Sequence, residues 1–140
     1  VIQRETHFDP DPDYETYLVK LNGTGWARLG QTVAVDDLNI EFFAHAKVNC
    51  YASTPDVWAG GALALMYLNA YGTVLGETRI ASQSTSCPWS NGPNMHIIEG
   101  TNTWEAYSFN VEEELGNLPG VDSGQIAFLC VCFFGQVYEC

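Results

Sequence analysis

An all-β fold, an antiparallel β-sandwich of about eight to ten strands, is what this sequence of 140 residues predicts. Three features carry that expectation. Short runs rich in Val, Ile, Thr, Tyr, Phe and Trp are separated by Gly, Pro, Asn and Asp along the whole length. Across residues 38–52, Leu38, Ile40, Phe42, Ala44, Ala46, Val48, Cys50 and Ala52 alternate with Asn39, Glu41, Phe43, His45, Lys47, Asn49 and Tyr51. A period of two held that long belongs to a strand with one face in a core and the other toward water. Helical periodicity, finally, is hard to find anywhere.

The elements follow in order. Pro10 and Pro12 deny a ladder its donors, so residues 9–15 read as an entry loop. Residues 17–21 read as a short strand and 22–25 as a glycine-rich turn; 26–29 and 31–35 read as two further strands, with Gly30 as a bulge or turn between them. After the long alternating strand, residues 53–61 read as a loop. Residues 62–70 and 73–80 are the arms of a β-hairpin turning at Tyr71 and Gly72. Residues 81–94 form a connection of more than ordinary length. Residues 95–98 read as an edge strand, 103–111 as another strand, and 112–115 as one helical turn. Residues 125–134 are continuously apolar, as in a strand buried on both faces, and 136–140 return beside them after Gly135. A chain of this length folds as one domain, residues 1–140, and its opening Val1-Ile2-Gln3 reads as the start of a mature or excised piece of a longer protein.

Seventeen acidic residues against five basic ones give a net charge of −12. Phosphate backbones and anionic headgroups are repelled by such a surface, and no apolar run approaches the ~20 residues that span a bilayer. The expected partners therefore exclude nucleic acid and membrane insertion. Neutral sugars, cations and other proteins remain.

Cys50, Cys87, Cys130, Cys132 and Cys140 permit two disulfides with one thiol over. Cys130 and Cys132 alternate along one strand, which makes a bond between them geometrically awkward. Cys50 with Cys87 is the expected pair, since both sit at loop edges.

No Gly-x-Ser-x-Gly elbow, His-Glu-x-x-His helix, Walker loop or Cys-x-x-Cys pair occurs, and His7, His45 and His96 have no metal-site spacing. The expectation is a non-enzyme. Asp9, Asp11, Asp13 and Glu15 place carboxylates at alternate positions, which suits calcium in a structural role. An EF-hand is excluded, because Tyr14 replaces the required Gly and Lys20 stands where the bidentate Glu belongs. On the exposed side of the long strand, Glu41, Phe43, His45, Lys47, Asn49 and Tyr51 combine ring planes with hydrogen-bonding groups, as sugar recognition requires. Trp58 and Trp89 are expected in loops, where a large ring either meets a partner or folds back on the core, whereas Trp104 reads as core.

Several phrases in order resemble the galactose-binding-like jelly-roll group to which many carbohydrate-binding modules belong. They are Gly25-Trp26-Ala27-Arg28, Gly30-Gln31-Thr32-Val33, the strand of residues 40–48, the run of residues 62–72, Thr103-Trp104-Glu105-Ala106-Tyr107-Ser108, and the late run of residues 124–134. The resemblance implies a jelly roll that holds a polysaccharide or other glycan on its concave face or on loops at one end, in an extracellular or surface setting. The family often has an acidic pair in its last strand, but Tyr138-Glu139-Cys140 offers one acid only. A second expectation comes from another class: a structural assembly subunit, a capsid projection or surface-filament protein, in which the same sandwich forms a homo-oligomer or joins a parent multidomain protein.

Overall fold

The computed structural model describes residues 2–7, 13–21 and 23–139, with side chains from Leu18 onward. The strands are β1 (Ile2–His7), β2 (Asp13–Leu18), β3 (Gly25–Ala34), β4 (Glu41–Ala46), β5 (Val57–Leu68), β6 (Val74–Gln83), β7 (Met95–Glu99), β8 (Glu105–Asn110) and β9 (Phe128–Glu139). One helical turn, α1 (Val111–Glu114), follows β8. A five-stranded sheet has the order β3-β9-β5-β6-β7, a two-stranded sheet pairs β4 with β8, and β1 with β2 form a separate ladder. The five-stranded and two-stranded sheets are layers of the kind a sandwich needs.

Alternation decides which residues lie between the layers. The inner face of the large sheet shows Leu63, Leu65 and Tyr67 of β5, Ile80 of β6 and Leu129 of β9, packed with Phe42, Ala46 and Val48 from the β4 side. Phe42 stacks on Phe109, its partner in β8, at 4.9 Å between ring centroids. Burial alternates through the whole of residues 38–52, with the even-numbered side chains inward and the odd-numbered ones exposed. Ladder pairing, by contrast, is confined to Glu41–Ala46. Beyond Ala46 the chain stays close to the large sheet, where Val48 donates its N–H to Thr101 and Asn49 passes over Gly61.

Several expectations are corrected. β3 is one strand through Gly30, because glycine there lets the strand lie against Cys130 and Val131 of β9 without a bulge. β9 likewise continues through Gly135 to Glu139 and does not turn back, so it becomes the strand between β3 and β5. β5 starts at Val57, which moves Trp58 from the expected loop into a strand. β7 runs parallel to β6, against the expectation of antiparallel pairing throughout, because residues 84–94 carry the chain back along β6 before β7 begins. β2 begins at Asp13, within the expected entry loop. The hairpin of β5 and β6 is as expected: Gly72 adopts φ +79°, and the Asn69 side chain accepts from the N–H groups of Tyr71 and Thr73.

The expected Cys50–Cys87 disulfide is absent. Cys50, Cys87, Cys130 and Cys132 are free thiols, and the Cys50 sulfur instead takes a contact of 3.5 Å from the Ser82 hydroxyl. Burial raises the thiol pKa of Cys50, and that of Cys132 to about 11.

One polar network lies inside the core. The hydroxyl of Thr78 donates to Oε1 of Glu114 at 3.0 Å, which leaves Tyr67 to donate to Thr78 at 2.8 Å. His96 of β7 meets the same Glu114 oxygen through Nδ1, and Asn117 donates to the other oxygen at 3.1 Å. The network ties α1 to the far edge of the large sheet. Replacing Glu114 with Ala strands three partners, of which the Thr78 hydroxyl is buried, and should cost about 1–3 kcal/mol in urea unfolding, whereas Glu114→Gln, which keeps an acceptor, should cost less than half as much.

Burial also pushes the phenol of Tyr67 from its ordinary 10 up to about 12, with the Thr78 hydrogen bond opposing and the Glu114 charge adding. Above pH 10 the unfolded chain loses this proton while the folded one keeps it, so stability should fall between pH 10 and 12, by up to about 3 kcal/mol. A Tyr67→Phe variant measured over the same range should lack this component.

Candidate functional site

Among the described residues no second sheet lies over the outer face of the large sheet, and its own side chains cover it. From β3 come Trp26 and Arg28, from β9 Phe134 and Gln136, from β5 Trp58, Gly60, Ala62, Ala64 and Met66, and from β6 Glu77 and Arg79, all on one side by register. Gly60 is the hollow in this surface. Trp89 leaves the connection after β6 and lies directly over it: a Cβ on Gly60 would sit 2.5 Å from the Trp89 ring. The Gln83 side chain holds the Trp89 carbonyl at 2.8 Å.

Around Trp89 the rings form a continuous cluster. Its centroid is 5.7 Å from Phe134 and 6.4 Å from Trp58; Trp58 in turn stacks on Tyr138 at 6.1 Å, and Phe134 meets Trp26 at 6.5 Å. The Arg79 guanidinium lies beneath, 4.3 Å from the Trp89 centroid and 5.2 Å from Phe134, and pairs with Glu77. Its Nε and Nη1 are buried and face rings in place of hydrogen-bond acceptors, so cation–π attraction holds the charge there. Arg28 lies 5.4 Å over Trp26 at the open end. Under this lid Ala64 and Cys132 are almost wholly buried. The outer rings remain available, with Trp26 60% and Tyr138 44% exposed.

Beside Trp89 is a hollow of about 480 Å³ lined by Ser82, Gln83, Ser90, Asn91, Ile97 and Glu99. It offers hydroxyl and amide groups next to the ring faces.

No family model, curated protein or solved structure matches this chain.

The structure divides the residues expected to hold a glycan. Trp58 and Trp89 join the outer-face cluster, Trp58 from a strand and Trp89 from a loop. His45, Lys47, Asn49 and Tyr51 line a separate cleft of about 1050 Å³ between the layers. Glu41 and Phe43 are exposed and belong to neither. The cleft has a cause in sequence. Gly61 and Gly135 are cross-strand partners, and the chain at Lys20 and at Asn49 approaches each within contact distance of a missing Cβ. Trp104 is half-buried beside His45, 5.4 Å between ring centroids, and is not among the core residues.

Of the expected calcium ligands, Asp9 and Asp11 lie outside the described residues, and Asp13 and Glu15 fall in β2, whose side chains there are not described. Among the described residues no group of three or more His, Cys, Asp or Glu side chains is placed to hold a metal ion, and no helix is long and apolar enough to cross a membrane.

Sequence reading missed Trp26, Phe134 and Tyr138. The signal for Trp26 is the alternation Trp26, Arg28, Gly30 within β3, hidden by the division of that strand at Gly30, and that for Phe134 and Tyr138 is the alternation through Gln136 in β9, hidden by the break read at Gly135.

A methyl group at residue 60 tests the arrangement. Gly60→Ala should lift Trp89 off the sheet and destabilise the fold by about 1–3 kcal/mol, with tryptophan emission shifting to the red before unfolding begins. An unchanged spectrum and midpoint would show that Trp89 does not rest on Gly60.

Proposed function

We propose that the outer face of the five-stranded sheet is a non-catalytic binding surface for a neutral glycan. The observation that carries this reading is the convergence of three of the chain's four tryptophans with Phe134 and Tyr138 on one uncovered sheet face. A pyranose ring has an apolar face of C–H groups and a rim of hydroxyls. Exposed indole and phenol planes match the first, and the hollow at Gln83, Ser90 and Asn91 matches the second. The rings stand on strands or are pinned to them, so little ordering entropy is lost on binding. The net charge of −12 favours neutral over anionic saccharides.

A jelly roll of the galactose-binding-like group accords with the two layers and with this use of aromatic side chains; the parallel β6–β7 pair is a departure from it. On this reading the site holds its ligand and performs no chemistry on it: Glu77 is tied to Arg79, which leaves the hollow with Glu99 where glycoside hydrolysis calls for a pair of carboxylates.

Affinity electrophoresis in gels containing neutral polysaccharides tests the proposal. Trp26→Ala and Tyr138→Ala, both at exposed rings, should each weaken retention about 5- to 50-fold, corresponding to about 1–2 kcal/mol of ring contact, with unchanged unfolding midpoints. Tyr51→Ala, in the separate cleft, should leave retention unchanged. Retention that survives both ring variants, or falls only with Tyr51→Ala, would move the site to the cleft.

A further inference from the structure

The large sheet treats its two edges differently. At the β7 edge the connection of residues 84–94 folds alongside: Gly92 bridges Met95, and the Asn91 side chain accepts from the Ile97 N–H at 2.7 Å. The outward backbone groups of Met95 and the Ile97 N–H there already have partners. At the other edge β3 pairs only with β9; β2 touches it, but no strand among the described residues forms a ladder on its free side. β3 is ten residues long, and every side chain from Arg28 to Ala34 is exposed.

Natural edge strands of this length are ordinarily blunted by charge, proline or a bulge, because a row of unpaired N–H and C=O groups recruits another strand. β3 has no proline and keeps regular register with β9 throughout. Its one charge is Arg28, and it contains no acid in a chain that has seventeen. The absence of acids matters most for self-pairing, since a copy of this chain brings −12 of its own and would be repelled from an acidic edge. Beside the edge, on the inner face, Leu29, Val33 and Val131 stay 39%, 47% and 39% exposed, where the two-stranded layer does not reach.

We infer that β3 is an interface for a second copy of this chain, pairing antiparallel with its own counterpart across a two-fold axis perpendicular to the sheet. Edge backbone groups specify a strand as the occupant, and an antiparallel edge is complementary to itself under that rotation. With Gln31 on the axis, residues 28–34 of the two copies overlap, which supplies about seven backbone hydrogen bonds and makes a ten-stranded sheet. The same rotation keeps inner faces together, so Leu29 of each copy lies opposite Val33 of the other and the two cover one another. The outer faces align as well, placing both Trp26 rings on one surface. The inference is independent of what that surface binds.

Size-exclusion chromatography with light scattering on the full chain tests it. The native chain should elute at twice the 15.4 kDa of one copy. Gln31→Glu with Val33→Glu, both exposed on β3, sets like charges across the interface and should give one-copy mass with an unchanged far-UV spectrum. The matching Lys pair should do the same, and mixing the two variants should restore the two-copy species. A native chain that stays at one-copy mass at high concentration overturns the interface outright. So does a Glu variant that stays paired, or a mixture of folded variants that does not re-associate. If either variant fails to fold, the native mass alone still decides.

Discussion

A five-stranded sheet has two faces to remove from water, and among the described residues the layer that closes its core, β4 with β8, has only two strands. Much of what is distinctive in the molecule follows from that mismatch. Over β5 and β6 the inner face is closed by Phe42, Val48, Tyr107 and Phe109, and the result is a dry core around Leu63, Tyr67 and Ile80. Over β3 the layer runs out, leaving Leu29 and Val33 part-exposed. The outer face has no layer at all, and burial of Ala64 and Cys132 there depends on side chains lying flat across the strands. Large planar groups do this best, since one indole covers what several aliphatic side chains would. The aromatic cluster is thus both the cover of a bare sheet and, by its outermost rings, a surface for a ligand.

Glycines fix where that cover can sit. Gly60, Gly61 and Gly135 meet in register across β5 and β9, and each admits something a Cβ would exclude: Trp89 on the outer side at Gly60, the chain at Asn49 at Gly61, and the chain at Lys20 at Gly135. One small patch of missing side chains therefore anchors the aromatic face and hollows the cleft on the opposite side. Arg79 has a matching role from below. Its charge is neutralised by Glu77 and its plane lies under Trp89, so the ring is held from both the strand and the guanidinium. Guanidinium suits such a place better than ammonium, being flat and more weakly hydrated.

The sequence made the class of the fold legible because period-two alternation is a local signal. Residues 38–52 alternate in burial as their pattern requires, although only six of them pair in a ladder; a strand's face is set by hydrophobicity and its pairing by what lies alongside. The hairpin at Gly72 was equally local. What was not legible depended on distant partners. Gly30 and Gly135 read as breaks, because glycine signals a turn until one knows that a neighbouring chain needs the space. The parallel pairing of β7 lay in the path of a loop, which composition does not disclose. Two of the expected site residues, Trp58 and Trp89, came together with three rings the reading had not selected, since proximity across β3, β9 and β5 is a property of strand order.

Strand order also links the two surfaces of greatest interest. β3 is at once the edge of the sheet and the bearer of Trp26 and Arg28, so a change at the edge acts on the end of the aromatic face by the shortest route available. Tyr138 lies two residues along β9 from Gln136, the partner of Trp26, so the two most exposed rings share one rim of that face. The rings behind them are held by packing: Trp89 by Gly60 and Gln83, Phe134 by its place in β9. A ligand on this face therefore meets exposed rings at the rim and fixed ones behind. Recognition gains from that distribution, because fixed planes set the ligand's orientation while exposed rings at the rim supply contact area without disturbing the core.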